Sequence, residues 1–205
     1  MGKKIISTIT GIILVFSAVA FAIKAGIGVL PVDAAMASIS EVIHMKVGTF
    51  SMLFQTCYFI GQIMIEKKNF KKTEWLQVLY ITLGGSILNF ILYTVLKDIT
   101  FTSYPVRLLV CVASFAVSSF GCTMVLEAHL MRTPMEGLLL LLADIKGTTM
   151  GKIRQKMDII LVFLCLILTF ACGATLQIRE GTVIAALVFG PMFDFWKKYV
   201  FTEKK

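Results

Sequence analysis

The sequence predicts an all-α, polytopic membrane protein of six transmembrane helices and two short proline-initiated helices, arranged as an inverted-topology repeat of three spans each. Three observations lead there. First, the 205 residues are 58% hydrophobic and only 16% charged, and their mean hydropathy of +0.87 is far above that of a soluble domain. Second, several apolar runs approach or exceed the ~20 residues a helix needs to cross a bilayer. They are continuous rather than alternating, which selects helices over a closed barrel. Third, one punctuated stretch occurs twice. Lys24-Ala-Gly-Ile-Gly-Val-Leu-Pro-Val-Asp33 has a counterpart in Glu127-Ala-His-Leu-Met-Arg-Thr-Pro-Met-Glu136. A shift of 103 places Pro31 on Pro134, Asp33 on Glu136, Glu41 on Asp144, Gly48 on Gly151 and Lys24 on Glu127. Each copy ends a long apolar run and starts a short helix at a proline, whose missing N–H costs nothing at the first helical position.

Taken in order, span one runs from Ile5 to about Leu30, behind Lys3 and Lys4. It fits a full span better than the short apolar core of a cleaved leader. A segment from Val32 to Val47 follows, too short to span and suited to an interfacial or re-entrant helix. Asp33, Glu41 and His44 fall on one side of it at 100° per residue. Span two covers about Gly48 to Ile65 and carries Gln55 and Gln62. A basic loop, residues 66–72, leads to span three, about Glu74 to Leu96, with Gly84, Gly85 and Asn89 inside. Span four runs from Pro105 to about Leu130, and the second short helix from Pro134 to about Lys146. Span five covers about Ile153 to Leu176 and span six about Gly181 to Val200. Gly84-Gly85 matches Gly190-Pro191 at a shift of 106. The chain thus reads as a single transmembrane domain, residues 1–205, made of repeats 1–97 and 104–205.

The formal charge of +8 does not point to nucleic acid, because the basic residues gather at the ends of apolar runs. With the N-terminus inside, fifteen of the 20 basic residues fall on the inner side. The outer side keeps Lys24, Lys46, Lys97, Arg107 and Arg179. The positive-inside rule therefore predicts a multi-pass protein of the cytoplasmic membrane with both termini cytoplasmic. Each half holds an odd number of spans, so the second enters from the opposite face. Secondary transporters recurrently use this plan, with the site between the halves. The five cysteines all lie in apolar runs without a CxxC pair, and read as packed structural thiols.

Several of these stretches resemble a known group. Lys24 to Asp33 is similar to the first motif of the YczE/YyaS/YitT family of bacterial membrane proteins. Pro134 through Gly147-Thr-Thr-Met-Gly151, then Gly181-Thr182 and Gly190-Pro191-Met-Phe-Asp194, is similar to the second half of those proteins. The resemblance covers nearly the whole chain and implies the fold more than an activity. Arg132-Thr-Pro-Met-Glu136 departs from the Gly-Pro-x-Asp pattern of the group.

Ionisable groups inside spans are costly and mark function by default. Lys24, Glu127, His129, Asp158 and Asp194 are the candidates. Asp158 and Asp194 lie near cytoplasmic ends, where the headgroup level would explain them, and Lys24 is placed to snorkel outward. The short helices present free N–H groups at their starts, and such ends attract anions. Lys24 and Arg132 lie nearby in sequence; Asp33 and Glu136 could instead cap the same ends. No metal-ligand spacing, phosphate loop or nucleophile–base pairing is present, so neither a cofactor nor an enzyme is expected. The expected function is a small secondary transporter or facilitator of a small polar or anionic metabolite. Lys24 and Arg132 would supply charge, and Asp33, Glu127, His129 and Glu136 would be polar partners or proton sites. A non-transporting accessory protein of another complex is the alternative. The expected partners are the bilayer and a small-molecule substrate, not nucleic acid; a homodimer stays open.

Overall fold

The computed structural model describes residues 2–67 and 70–201, and among these it is all-helical, with no strand. Helix α1 spans Gly2–Ala25, α2 Pro31–Val42 and α3 Val47–Glu66. A 3-10 turn, Lys72–Leu76, leads into α4, Gln77–Phe90, which ends in a π-helical turn, Ile91–Val95. Then come α5, Tyr104–Glu127, α6, Pro134–Ile145, and α7, Met150–Cys172. The last helix, α8, covers Glu180–Trp196 and again closes in a π-helical turn, Lys197–Phe201. Four segments are long and apolar enough to cross a membrane: Gly2–Ala25, Lys72–Val95, Tyr104–Glu127 and Gly151–Cys172. The 20-residue α3 carries Gln55 and Gln62 on its buried face, and α8 has only 17 residues.

Both long helices before a proline stop earlier than the apolar pattern suggests. Helix α1 ends at Ala25 because Gly26 turns left-handed, φ 64°, while its N–H bonds back to Ala22 and Ile23. Helix α5 ends at Glu127, and His129, φ 50°, holds the left-handed position there. The residues up to Pro31 are apolar and those up to Pro134 mixed, and neither stretch is helical. The short helices stop by the same device at the same offset. His44 (φ 54°) donates to Glu41 O and Met45 to Ser40 O; Gly147 (φ 57°) donates to Asp144 O and Thr148 to Ala143 O. This is the Schellman pattern, which satisfies the last carbonyls of a helix.

Helices α1 and α5 pack along their whole length and run antiparallel. Ser7 Oγ donates to Met124 O near one end, Gly11 meets Gly121 backbone to backbone, and Arg107 Nε reaches Ala25 O at the other end. Small residues are what allow this. A Cβ on Gly11 would lie 2.7 Å from Gly121 O, and one on Gly121 would lie 2.8 Å from Gly11 O. Between spanning helices, where lipid is as apolar as the side chains, such close backbone approach supplies the packing energy.

The short helices pack across the halves, and the long helices otherwise pack within their own half. Helix α2 packs on α7 and α6 on α3, while α1 packs on α4 and α5 on α8. Ala34 and Ala35 of α2 share a buried cluster with Leu161 and Cys165 of α7. Gly137 of α6 sits against the Gln62 amide of α3. The expectation of packed thiols holds for Cys111 and Cys165, which are buried, but not for Cys57 and Cys172, which face outward.

Candidate functional site

The two non-helical breaks are each pinned by side chains from other elements. At residues 26–30, Arg107 donates from Nε to Ala25 O and from Nη2 to Gly26 O, both at 2.6 Å. Arg179 adds Nη1 to Gly26 O at 3.0 Å, and the Gly181 N–H bonds Ile27 O at 2.7 Å. This folds the chain back beside α1. Asp33 therefore shares a small cavity with Ala18, Ala22, Ser114 and Ser118, whereas Glu41 comes level with Lys24. Helix α2 thus runs alongside α1 in the same direction.

The second break, residues 128–133, is held by a denser network. Arg132 donates from Nε to Glu74 Oε1 at 2.9 Å and from Nη2 to Glu66 Oε1 at 3.0 Å. Its N–H reaches Glu74 Oε2 at 3.3 Å, and the same oxygen accepts from Gln77 Nε2 at 2.7 Å. Gln62 Nε2 closes the network on Pro134 O at 2.6 Å. Burial works against the Arg132 charge, but the bonds to Glu66 and Glu74 and their charges prevail and hold its pKa above the usual value.

Neither Asp33 nor Glu136 caps its helix, the role open to both in the sequence. The residue before α2 is Leu30, without a side-chain cap. Thr133 caps α6, accepting the Glu136 N–H on Oγ1 at 3.3 Å. Asp33 is left without a capping role, and one side of the Glu136 carboxylate lies against the Thr133 hydroxyl. Both carboxylates lie within reach of the charge of one guanidinium, Arg154, on the first turns of α7. Arg154 also pairs with Asp158 one turn on, at 3.9 Å. Three carboxylates thus share one cation. Glu136 Oε2, Asp158 Oδ1 and Gln55 Oε1 are enclosed and have no hydrogen-bond partner among the described residues. Such groups are expensive to leave unpaired, and each calls for an explanation.

The remaining expected site residues lie elsewhere. Lys24 Nζ donates to Lys97 O at 3.2 Å, beside an open cavity of about 490 Å³. Glu127 pairs with His129 at 3.7 Å and with Lys197 at 3.5 Å. Because α1 and α5 run antiparallel, Lys24 and Glu127 stand at opposite ends of the pair. The side chain of Asp194 lies outside the described residues. Among the described residues no three His, Cys, Asp or Glu side chains gather as metal ligands.

Arg154 was hidden in the sequence as one of a run of topology-setting cations, and Asp158 as a residue of the headgroup level. The signal that could have found them is their spacing of four, which puts an opposite-charge pair on one helix face. Glu66 and Glu74 carried no signal, because Arg132 lies 66 and 58 residues away, and Gln77 bonds Glu74 and Gln62, 3 and 15 residues away, at spacings that announce no site.

Neither the curated proteins nor the solved structures contain a match to the chain. One family does match, over residues 2–198, nearly the full length and through every helix described above. The chain belongs to DUF6198, a family of unknown function.

Proposed function

We propose that this protein is a small secondary transporter or facilitator of a small polar or anionic metabolite, built as an inverted repeat of three spans per half. The observation that carries the reading is that Glu136 Oε2 and Asp158 Oδ1 are enclosed without a hydrogen-bond partner among the described residues, while Asp33 and Glu136, one from each short helix, both feel the charge of Arg154, the partner of Asp158. Arg154 offers a counter-charge for an anionic group. Asp33, Glu136 and Asp158 offer proton sites, and the excess of carboxylates over guanidinium calls for a proton or a solute group to accompany it.

The halves support the reading independently. Elements of 24, 12 and 20 residues in the first half recur as 24, 12 and 23 in the second. The left-handed residues Gly26 and His44 recur as His129 and Gly147 at the offset of 103. Antiparallel α1 and α5 end at opposite ends of the central pair, at Ala25 and Glu127, a plan suited to alternating access around a shared site. In this reading α3 and α8 complete the six spans, α2 and α6 are re-entrant, and both termini are cytoplasmic. Kinship with the YczE/YyaS/YitT group is part of the same proposal.

Reconstitution into liposomes and uptake of labelled metabolites tests it. Asp33→Asn, Glu136→Gln and Arg154→Ala should each lower uptake at least about tenfold, the scale of one lost interaction of ~1.4 kcal/mol. Uptake indifferent to all three discards the site.

A second reading, a non-transporting accessory subunit, draws on α7. Its apolar window is only 11% buried, against 50% for α1, and Phe163, Ile167 and Phe170 face outward. A stoichiometric co-purifying membrane protein whose binding Phe170→Ala weakens would favour it.

A further inference from the structure

We propose that the cavity beside Lys24 binds a short aliphatic carboxylate. This rests on the carrier reading only for what the site does in transport, not for the binding itself. The cavity measures about 490 Å³, within the ~300–1,000 Å³ usual for small-molecule sites. It opens at the end of the bundle where α1, α2 and the end of α4 meet the segment after α7.

Its lining carries two lysines against one carboxylate. Lys24 and Lys97 both line it, and neither is in an ion pair among the described residues. Lys24 Nζ spends one of its three donors on Lys97 O, which fixes the ammonium at the wall and leaves two donors over. The cavity also holds a carboxylate, Glu41, but both its oxygens are engaged. Thr175 donates its N–H to Oε2 at 3.0 Å and its hydroxyl to Oε1 at 2.7 Å. Glu41 therefore does not clamp either lysine, and its one negative charge stands against the two positive charges of Lys24 and Lys97. Tyr93 Oη accepts from the Val47 N–H at 3.1 Å, so its own proton is free to be donated. Gln177, half-buried on the facing segment, adds an amide.

The floor is apolar. Val47 and Leu92 are buried there, each less than a tenth exposed. The Lys24 ammonium at the wall, a second lysine in the lining and aliphatic side chains beneath match a solute with an anionic head and a short hydrocarbon body. A fully polar anion would leave the floor without a partner, and an amine would meet two like charges. Arg132, by contrast, is committed to Glu66 and Glu74 and has no part in this site.

The test uses the purified full chain in dodecyl maltoside at fixed ionic strength. Thermal stability and calorimetric binding are read against sodium valerate, butylammonium chloride, sodium phosphate and phosphatidylglycerol. Valerate should stabilise saturably and butylammonium should not. Lys24→Ala and Lys97→Ala should each weaken binding roughly fivefold, and the double variant should abolish it. Lys24→Arg with Lys97→Arg keeps the charge and should stay close to the parent, which separates lost binding from lost folding. Lys4→Ala, at the other end of α1, should not matter. Binding of valerate that survives in the double alanine variant overturns the proposal. So does a lysine-dependent response to phosphate or to phosphatidylglycerol with none to valerate. Labelled valerate in proteoliposomes separates the two readings: binding without uptake sinks the carrier and keeps the site, and uptake unaffected by both lysine changes sinks the site and keeps the carrier.

Discussion

Gln62 and Gln77 hold each other by reciprocal amide bonds, Nε2 to Oε1 at 2.9 Å one way and 3.0 Å the other, with both side chains fully buried. The pair ties α3 to the start of α4, and through Pro134 O and Glu74 it also fixes the start of α6. Gln62→Leu would leave the Gln77 Oε1 and one of its amide N–H groups without partners, at about 1–3 kcal/mol for each orphaned group. Chemical unfolding in detergent should show that loss. Gln62→Leu with Gln77→Leu should cost less than the two single changes added, since each removes the other's orphan. Strict additivity would mean that the amides do not act as a pair.

The Gly11–Gly121 contact makes the spacing of α1 and α5 sensitive to a single methyl. Gly11→Ala and Gly121→Ala both push a carbon into facing backbone carbonyl, which cannot swing away as a side chain would. Each should destabilise by about 1–3 kcal/mol. Gly151→Ala, where nothing lies within 4 Å, should be neutral or slightly stabilising, since alanine favours a helix. Equal melting temperatures for all three variants would refute the close approach.

Arg132 tests whether its ion pairs hold the second break. Arg132→Ala leaves Glu74, 5% exposed, without its cation. The expected loss is about 3 kcal/mol, at the low end for a broken buried pair because the guanidinium is partly exposed. Adding Glu74→Gln should recover part of it, because the amide removes the unpaired charge. If the double variant is less stable than Arg132→Ala alone, the pairing is not what matters at this position.

Opposite placement of the two ends can be read by labelling. After replacement of the native cysteines, Gln177→Cys should react with a membrane-impermeant maleimide added to intact cells. Lys72→Cys should react only after permeabilisation. Labelling of both from the same side would rule out the six-span arrangement.

The two prolines illustrate what was legible in the sequence. Proline restricts its own φ and the residue before it, so Pro31 and Pro134 fixed the start of α2 and α6 without any tertiary context. The offset of 103 found there carried on into the helix ends, down to the left-handed residues. The site was less legible. Lys24, Arg132, Glu127 and His129 stood out because charges near apolar runs stand out, yet Arg132 is engaged with Glu66 and Glu74, and Glu127 with His129 and Lys197. Asp33 and Glu136 stood out by symmetry, and their common neighbour Arg154 did not.

Length, composition and punctuation alone determined that this is a helical chain suited to a membrane, broken twice at equivalent points. Those properties act over a few residues or over the bulk of the chain, and need no knowledge of who touches whom. Which charges are spent and which are left over was decided only by the tertiary structure. A guanidinium is neutralised by whatever carboxylate packs within a few ångströms, and for Arg132 those carboxylates come from 58 and 66 residues away.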